Sequence, residues 1–472
     1  MDHIYCTCNG SLPPIVDSVS SYLADGYFFS TAYKNSSWDG RVRYVKYAKR
    51  TNTTTFPTGF LTRITAVLDK FGHSYQLIDN REFPDVEPCL ELYDNKLGTI
   101  RLDTGRYSYQ SEVLQQALAH GRGIIKMATG LGKSKTAAAI IRSIGGKAIW
   151  LTHRLNLAHQ TKGVLEESLR CKVGLWCGTD KYIEDVTVGL VQSLVDGSKA
   201  IKDHMRSCRV LIGDELHRAE GGTYFDTLAQ IPAPYRFGLS ATPELDGVGL
   251  NLLATTGDVI ADIPVSEGIR RGVLVPPRIW VCTIKEPKKI TGTYQAVYRQ
   301  GVVENEHRND QIVRICSQLA KDKKPTLLLV KQISHGENLN LQLQRIGVAS
   351  AFVCGKTKND VRQEYIKQLI DGRLNTLVAV TEIMSEGTDI PQLKAVVNAS
   401  GTKAGGADND GGRQLIQILG RGLRASEGKT YFDMIDFFDS TNKFLKKASE
   451  DRLETYIAQG YSDYVDDWDN YQ

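Results

Sequence analysis

The 472-residue sequence predicts an α/β protein, with two parallel-sheet domains in tandem behind a small N-terminal α/β domain. Three observations lead there. Gly123-Ile124-Ile125-Lys126-Met127 is a short apolar run suited to a buried strand; it enters a glycine-rich turn, and a helix begins directly after it at Lys133-Ser134-Lys135. Residues 98 to about 265 alternate short apolar runs with helical stretches, the pattern of a parallel sheet with covering helices. A second alternation runs from about 272 to 444 without a glycine-rich loop of its own. The expected boundaries are 1–97 for the N-terminal domain, 98–268 and 269–446 for the two sheet domains, and 447–472 for an acidic tail.

Composition narrows the class. Hydrophobic residues at 41% and charged residues at 24% exclude a disordered or fibrous chain. A net charge of +4 says little at this size, so its distribution matters more than its sum. The nine cysteines form no C-x-x-C pair or zinc-spaced cluster and read as reduced thiols. The N-terminus lacks a basic-then-apolar leader, and no apolar run approaches the roughly 18 residues of a membrane span. A cytoplasmic monomer without membrane contact is expected.

In the N-terminal domain, Phe60, Ile64, Val67 and Leu68 recur at helical spacing within 57–72. Between residues 31 and 70 the bases Lys34, Arg41, Arg43, Lys46, Lys49, Arg50, Arg63 and Lys70 face only the acids Asp39 and Asp69, with Tyr33, Trp38, Tyr44 and Tyr47 interleaved. Such a stretch can hold a phosphate backbone and stack on bases; an edge strand protected by charge is the plainer alternative.

In Met127-Ala128-Thr129-Gly130-Leu131-Gly132-Lys133-Ser134 the glycines allow backbone N–H groups to face a polyphosphate. Lys133 reaches the β/γ-phosphates, and the Ser134 hydroxyl is a ligand for Mg²⁺. The dipole of the helix that follows adds to an anion site. Met127 stands where the pattern G-x-x-x-x-G-K-[ST] has glycine.

Strands are expected at 148–151, 186–191, 210–213 and 236–239, each ending in a polar cluster that should converge on the loop at the carboxyl edge of the sheet. After the third comes Asp214-Glu215-Leu216-His217, where Asp214 would hold Mg²⁺ and Glu215 would orient and deprotonate the attacking water. Ser240-Ala241-Thr242-Pro243 follows the fourth and suits a connector sensing the γ-phosphate. In the second domain, strands are expected at 326–330, 349–353, 376–380, 395–398 and 431–435. Arg421 and Arg424, three apart, are expected on one helical face, able to stabilise transition-state charge as arginine fingers do. Residues 402–412 read as a flexible loop, and the acidic, aromatic tail from Ser449 as docking loosely or not at all.

In this order MATGLGKS, WLTHR, VQS, DELH, SATP, SEGTDIP and QILGRGLR resemble the motif series of superfamily 2 helicases, over residues 106 to about 440. The resemblance implies two RecA-like domains, with ATP in the cleft and single-stranded nucleic acid across their tops. It assigns Tyr109 and Gln110 to the adenine, and Thr129, Gly130, Gly132, Lys133, Ser134 and Lys135 to the phosphates. Gly387, Asp389 and Gln417 also go to the nucleotide, and His217, Ser240 and Thr242 to coupling. His153, Arg154, Gln192, Ser193 and Thr381 go to the phosphate backbone of the nucleic acid. Leu216 departs from the DEAD and DEAH forms, which argues against the RNA-remodelling DEAD-box branch. The segment around Trp38-Asp39-Gly40-Arg41, followed by Phe56-Pro57-Thr58-Gly59, is similar to the N-terminal domain of UvsW-type phage helicases, which act on branched DNA. Trp38, Arg41, Arg43 and Lys46 are then DNA contacts, and forked or branched DNA with single-stranded regions is the expected partner. An RNA helicase, a double-strand translocase and a nucleotide-gated scaffold are the competing readings.

Overall fold

The computed structural model describes residues 1–471 apart from Lys96, Asp196, 215–221, 244–246, 285–289, 385–389, Pro391 and 404–409. The chain divides into two compact units: Met1–Met127 with Gly132–Ile263, and Ala128–Leu131 with Pro264–Gln472.

The first unit is built on an eight-stranded sheet. Its strands run in the order Asp180–Tyr182, Val173–Cys177, Val186–Leu190, Ala148–Thr152, Val210–Asp214, Tyr235–Ser240, Arg122–Met127, Val259–Ile263. All pair in parallel except the first, which turns back on its neighbour. The central strands are buried along most of their length, which is why they read in sequence as continuous apolar runs rather than alternations. Val173–Cys177, Asp180–Tyr182 and Val259–Ile263 were not expected as strands; the last, Val-Ile-Ala-Asp-Ile, lies at a sheet edge and is nowhere fully buried, which weakens the apolar signal.

The N-terminal module belongs to this unit. Tyr5–Asn9, Thr53–Pro57 and Lys46–Ala48 form an antiparallel sheet, and Ser21–Leu23 pairs with Arg41–Arg43. The helix spans Leu61–Lys70, its first turn tightened into a 3-10 turn over Thr58–Phe60. Phe60, Ile64 and Leu68 point the apolar stripe inward, against Phe225, Leu250, Leu253 and Ala254 of the large-sheet region. Polar contacts reinforce the seam: the Tyr44 hydroxyl donates to Asn251 Oδ1 at 2.6 Å, Arg63 pairs with Asp258 at 2.8 Å, and Arg122 donates to the carbonyls of His3, Thr255 and Thr256. Burial, with Arg236 nearby, lowers the Arg122 pKa to about 9. One shared core therefore joins 1–70 to the sheet, where the sequence suggested a separate domain.

Gly59 sits where a Cβ would enter the van der Waals shell of the Leu253 carbonyl oxygen. Gly59→Ala should lower stability by about 1–3 kcal/mol, the cost of overpacking a tight seam. Urea denaturation checks this, and an unchanged midpoint would show that the seam yields freely.

The second unit holds a seven-stranded, fully parallel sheet in the order Ser350–Val353, Thr376–Val380, Thr326–Val330, Ala395–Asn398, Phe432–Asp439, Pro277–Ile284, Val465–Asp467. The tail expectation is corrected here. Arg452, on the helix Lys443–Ala458, is buried, holding the Asp436 carboxylate at 3.0 Å and the Thr402 carbonyl at 2.8 Å. Val465–Asp467 adds the last strand, and Trp468 and Tyr471 stack at 4.3 Å beside Trp280. Acid content suggested solvation, but the tail's aromatic residues supply enough apolar surface to dock it while Asp466, Asp467 and Asp469 stay exposed. All nine cysteines are free thiols.

Candidate nucleotide site and nucleic-acid surfaces

In the first unit the strand Arg122–Met127 leads through the loop to the helix Lys133–Ile144. Gly130 and Gly132 adopt φ of +91° and +80°, the left-handed turn the motif needs. Thr129 and Gly130 fall in the loop tip Ala128–Leu131. The Met127 side chain is wholly buried at the strand end, and its carbonyl accepts from Lys133 Nζ at 3.2 Å. A methionine is therefore accommodated where the family pattern has glycine, because its side chain occupies the core.

Gly132 precedes the helix, and a Cβ there would come 2.6 Å from Gln110 Nε2. The structure thus brings Gln110, buried with Tyr109 at the start of the helix Tyr109–His120, against the phosphate loop. Ser134 lies in the first turn of its helix. Lys135 is held by Asp94, on the hairpin Glu91–Asp94/Gly98–Arg101, a pairing the local motif does not reveal.

Strand pairing sets the other groups. Asp214 ends Val210–Asp214, which pairs with Tyr235–Ser240, and Ser240 pairs with Lys126 on the loop strand. Asp214, Ser240 and the loop therefore share one carboxyl edge. The Ser240 hydroxyl is fully buried and accepts from the Thr242 N–H at 3.1 Å, tying the two proposed coupling residues together. Glu215 and His217 lie outside the described residues. A hydroxyl and a carboxylate beside a polyphosphate loop suit a hard cation completed by phosphate and water oxygens; among the described residues no group of three or more His, Cys, Asp or Glu makes a metal site by itself.

His153 and Arg154 follow the strand Ala148–Thr152, with Arg154 Nε donating to His153 Nε2 at 3.1 Å. Gln192 and Ser193 lie on the short helix Val191–Val195 after the neighbouring strand; Gln192 is exposed and the Ser193 carbonyl accepts from Trp176. These four also stand at the carboxyl edge. In the N-terminal module Trp38 Nε1 donates to the Arg41 carbonyl at 2.8 Å, and Arg41 Nε donates to Ser21 Oγ at 3.0 Å. Arg43 pairs with Asp17 at 2.8 Å and with Asp39 at 2.5 Å; that guanidinium holds the Asp39 pKa at about 2. Lys46 and Lys49 are exposed.

In the second unit, Thr381 starts a short helix and its hydroxyl donates to the Val330 carbonyl at 3.1 Å. The helix Asp410–Gly422 carries Gln417 and Arg421. Arg424 lies beyond it: the helix stops at Gly422, and Arg424 forms an antiparallel bridge with Leu274. Sequence spacing alone gave no stop signal, because Gly422 sits inside an apolar periodic run. The buried Lys429 ammonium donates to the Gly422 carbonyl, where a cation satisfies an orphan acceptor and the helix dipole. Lys429 was not anticipated; a lysine shortly after a helix is the faint signal available. Gly387 and Asp389 lie outside the described residues, as does most of the 402–412 loop, whose last residues instead begin the helix at Asp410.

Two parallel-sheet units, one with a phosphate loop and an acidic strand end on the same edge, define an ATP-driven motor of the RecA-like type. Residues 104–245 match the family described as the res subunit of Type III restriction enzymes, and 307–426 match the helicase conserved C-terminal domain, together more than half of the chain. The chain is 23% identical over 489 aligned positions to the ATP-dependent DNA helicase uvsW of Enterobacteria phage T4, covering 97% of this chain and 93% of that one. It is 25% identical to the DNA 3'-5' translocase XPB2 of Sulfurisphaera tokodaii, covering 74% and 82%. Among solved structures, the DNA-bound ATP-dependent Type ISP restriction-modification enzyme LlaBIII shares the fold at TM-score 0.57 and 15% identity, covering 75% of this chain and 29% of that one. The chain belongs to the superfamily 2 helicases, is an ATP-dependent enzyme, and resembles the UvsW type.

Proposed function

We propose that this helicase acts on DNA, and that its substrate is a fork or branch with single-stranded regions, remodelled by branch migration, fork regression or unwinding during replication, recombination or repair. It would work as a monomer in the cytoplasm. The observation that carries the reading is that similarity to the phage T4 helicase spans nearly the whole chain, N-terminal module included. That module is basic, aromatic and joined to the first sheet through a shared core, so force or position sensed by one can reach the other.

At the nucleotide, Lys133 would hold the β/γ-phosphates and Gln110 the adenine edge, while Gly387, Asp389 and Gln417 complete the site. Ser134 and Asp214 would hold Mg²⁺, which when bound neutralises charge on the transferring phosphoryl group. Glu215 would orient the attacking water and accept its proton. Arg421 and Arg424 would stabilise the charge that develops in the transition state. Ser240, Thr242 and His217 would pass the state of the γ-phosphate to the nucleic-acid edge, where His153, Arg154, Gln192, Ser193 and Thr381 contact the backbone.

A second reading is a double-strand translocase that moves without separating strands, favoured by the match of 104–245 to a restriction-enzyme subunit. ATPase and strand separation on forked DNA, linear duplex DNA and RNA distinguish the readings: fork-selective separation is expected, and turnover on linear duplex without separation would favour the second. Within the module, Lys46 and Lys49 test phosphate contact better than Arg43, whose guanidinium is already committed to two carboxylates. Lys46→Ala/Lys49→Ala should weaken fork binding and flatten the dependence of log K on log salt by up to about 1.8, since each lost phosphate contact removes about 0.9. An unaltered slope would take the module off the DNA.

A further inference from the structure

The N-terminal module carries an apolar feature that none of the roles above uses. Between the paired strands Ser21–Leu23 and Arg41–Arg43, the chain makes an excursion whose tip is a 3-10 turn, Tyr27–Phe29. Phe28 and Phe29 are 52% and 73% exposed, the latter the highest among the large hydrophobic side chains exposed on the described surface. Their rings lie 4.3 Å apart at 46°. Leaving two adjacent phenylalanines in water on a turn is costly, so the feature calls for an occupant.

The tip is held in place. The Phe29 and Ser30 N–H groups donate to the Gly26 and Tyr27 carbonyls, and the Ala24 N–H donates to the Gly40 carbonyl at 2.8 Å, closing the base. The Tyr27 ring packs edge-on to Tyr33 at 4.8 Å and lies over Gly40, where a Cβ would come 2.6 Å from Tyr27 Cδ2. Gly40 thus has two reasons to be glycine, the contact and a φ of +81°. A rigid aromatic tip loses little conformational entropy on binding.

We propose that Phe28 and Phe29 form a stacking wedge for unpaired bases at a DNA branch point. The inference rests on the branched-DNA reading and deepens it. Charge selects this occupant over a protein: residues 17–50 hold six bases, Lys34, Arg41, Arg43, Lys46, Lys49 and Arg50, against three acids, Asp17, Asp25 and Asp39, of which Asp17 and Asp39 are both taken up by Arg43. Lys34 within the excursion and Arg41 on the strand that closes it offer phosphates complementary charge while bases find aromatic faces. Two rings also offer far less apolar area than a stable protein interface of about 1,000 Å² requires. Apolar side chains inserted between base steps hold them apart, and every base has a π-face, so the wedge would be indifferent to sequence.

The test uses the full chain and a forked DNA with 2-aminopurine at the junction. Parent protein should raise its fluorescence on binding. Phe28→Ala/Phe29→Ala should remove that rise and weaken fork affinity by about 5- to 150-fold, the range for one lost stacked base. Affinity for linear duplex and ATPase at saturating single-stranded DNA should persist, and Phe28→Tyr/Phe29→Trp should restore the signal. Both side chains are exposed, so folding should survive, which a thermal melt verifies. If the alanine variant matches the parent in fluorescence and fork affinity, the wedge is overturned while the branched-DNA reading stands. A parent that binds fork and linear duplex equally overturns that reading and the wedge with it. A variant that only alters sedimentation would make the tip a self-association patch instead.

Discussion

Lys133→Ala should reduce ATP turnover to background, a fall on the order of 10³ or more, the scale at which cations act on a transferring phosphoryl group. Lys133 opens the helix after the loop, and its ammonium now rests on the Met127 carbonyl at 3.2 Å. That contact is local to the loop. The variant should therefore keep its fold and lose chemistry, which phosphate release at saturating single-stranded DNA, beside a thermal melt, would separate. Glu215→Gln should behave differently, retaining ATP while failing to cleave it, because the carboxamide can still orient water but cannot take its proton. Normal turnover in the glutamine variant would reassign the base.

Arg421→Ala should lower turnover by about 10³, in line with the loss of an arginine finger. Arg421 is on the last turn of the helix Asp410–Gly422, and that helix end is fixed by the Lys429 ammonium on the Gly422 carbonyl. Arg421→Lys should recover only part of the rate, since a point charge lacks the planar fork that matches phosphate oxygens. Arg424→Ala is the informative comparison. Arg424 lies past the helix, in a bridge with Leu274, so its reach is set by that bridge rather than by helical spacing. Steady-state turnover of the three variants checks the assignment; parental rates for both alanine variants would remove this segment from the chemistry.

Local backbone structure was legible in the sequence. The left-handed conformation of Gly132, the strand before it and the helix after it follow from residue types within some twenty positions, as do the apolar strands that end at Asp214 and Ser240. Strands such as Ala148–Thr152 announced themselves because two-sided burial makes a run uniformly apolar, whereas Val173–Cys177, equally buried, was not expected. Edge strands such as Val259–Ile263 did not, because half of their surface stays wet.

By itself, then, the sequence determined the fold class, the phosphate loop and the motif order that places this chain among the superfamily 2 helicases. Tertiary structure alone decided which groups meet across long separations: Gln110 against Gly132, Lys135 with Asp94, Arg452 with Asp436, and Phe60, Ile64 and Leu68 against Leu250 and Leu253. It also docked the acidic tail on Trp280 and ended a helix between Arg421 and Arg424. Backbone conformation is governed by neighbours in the chain, so a motif can be read where it stands. Pairing of buried polar groups and the covering of apolar faces are governed by neighbours in space, and no local pattern specifies which distant residue will arrive.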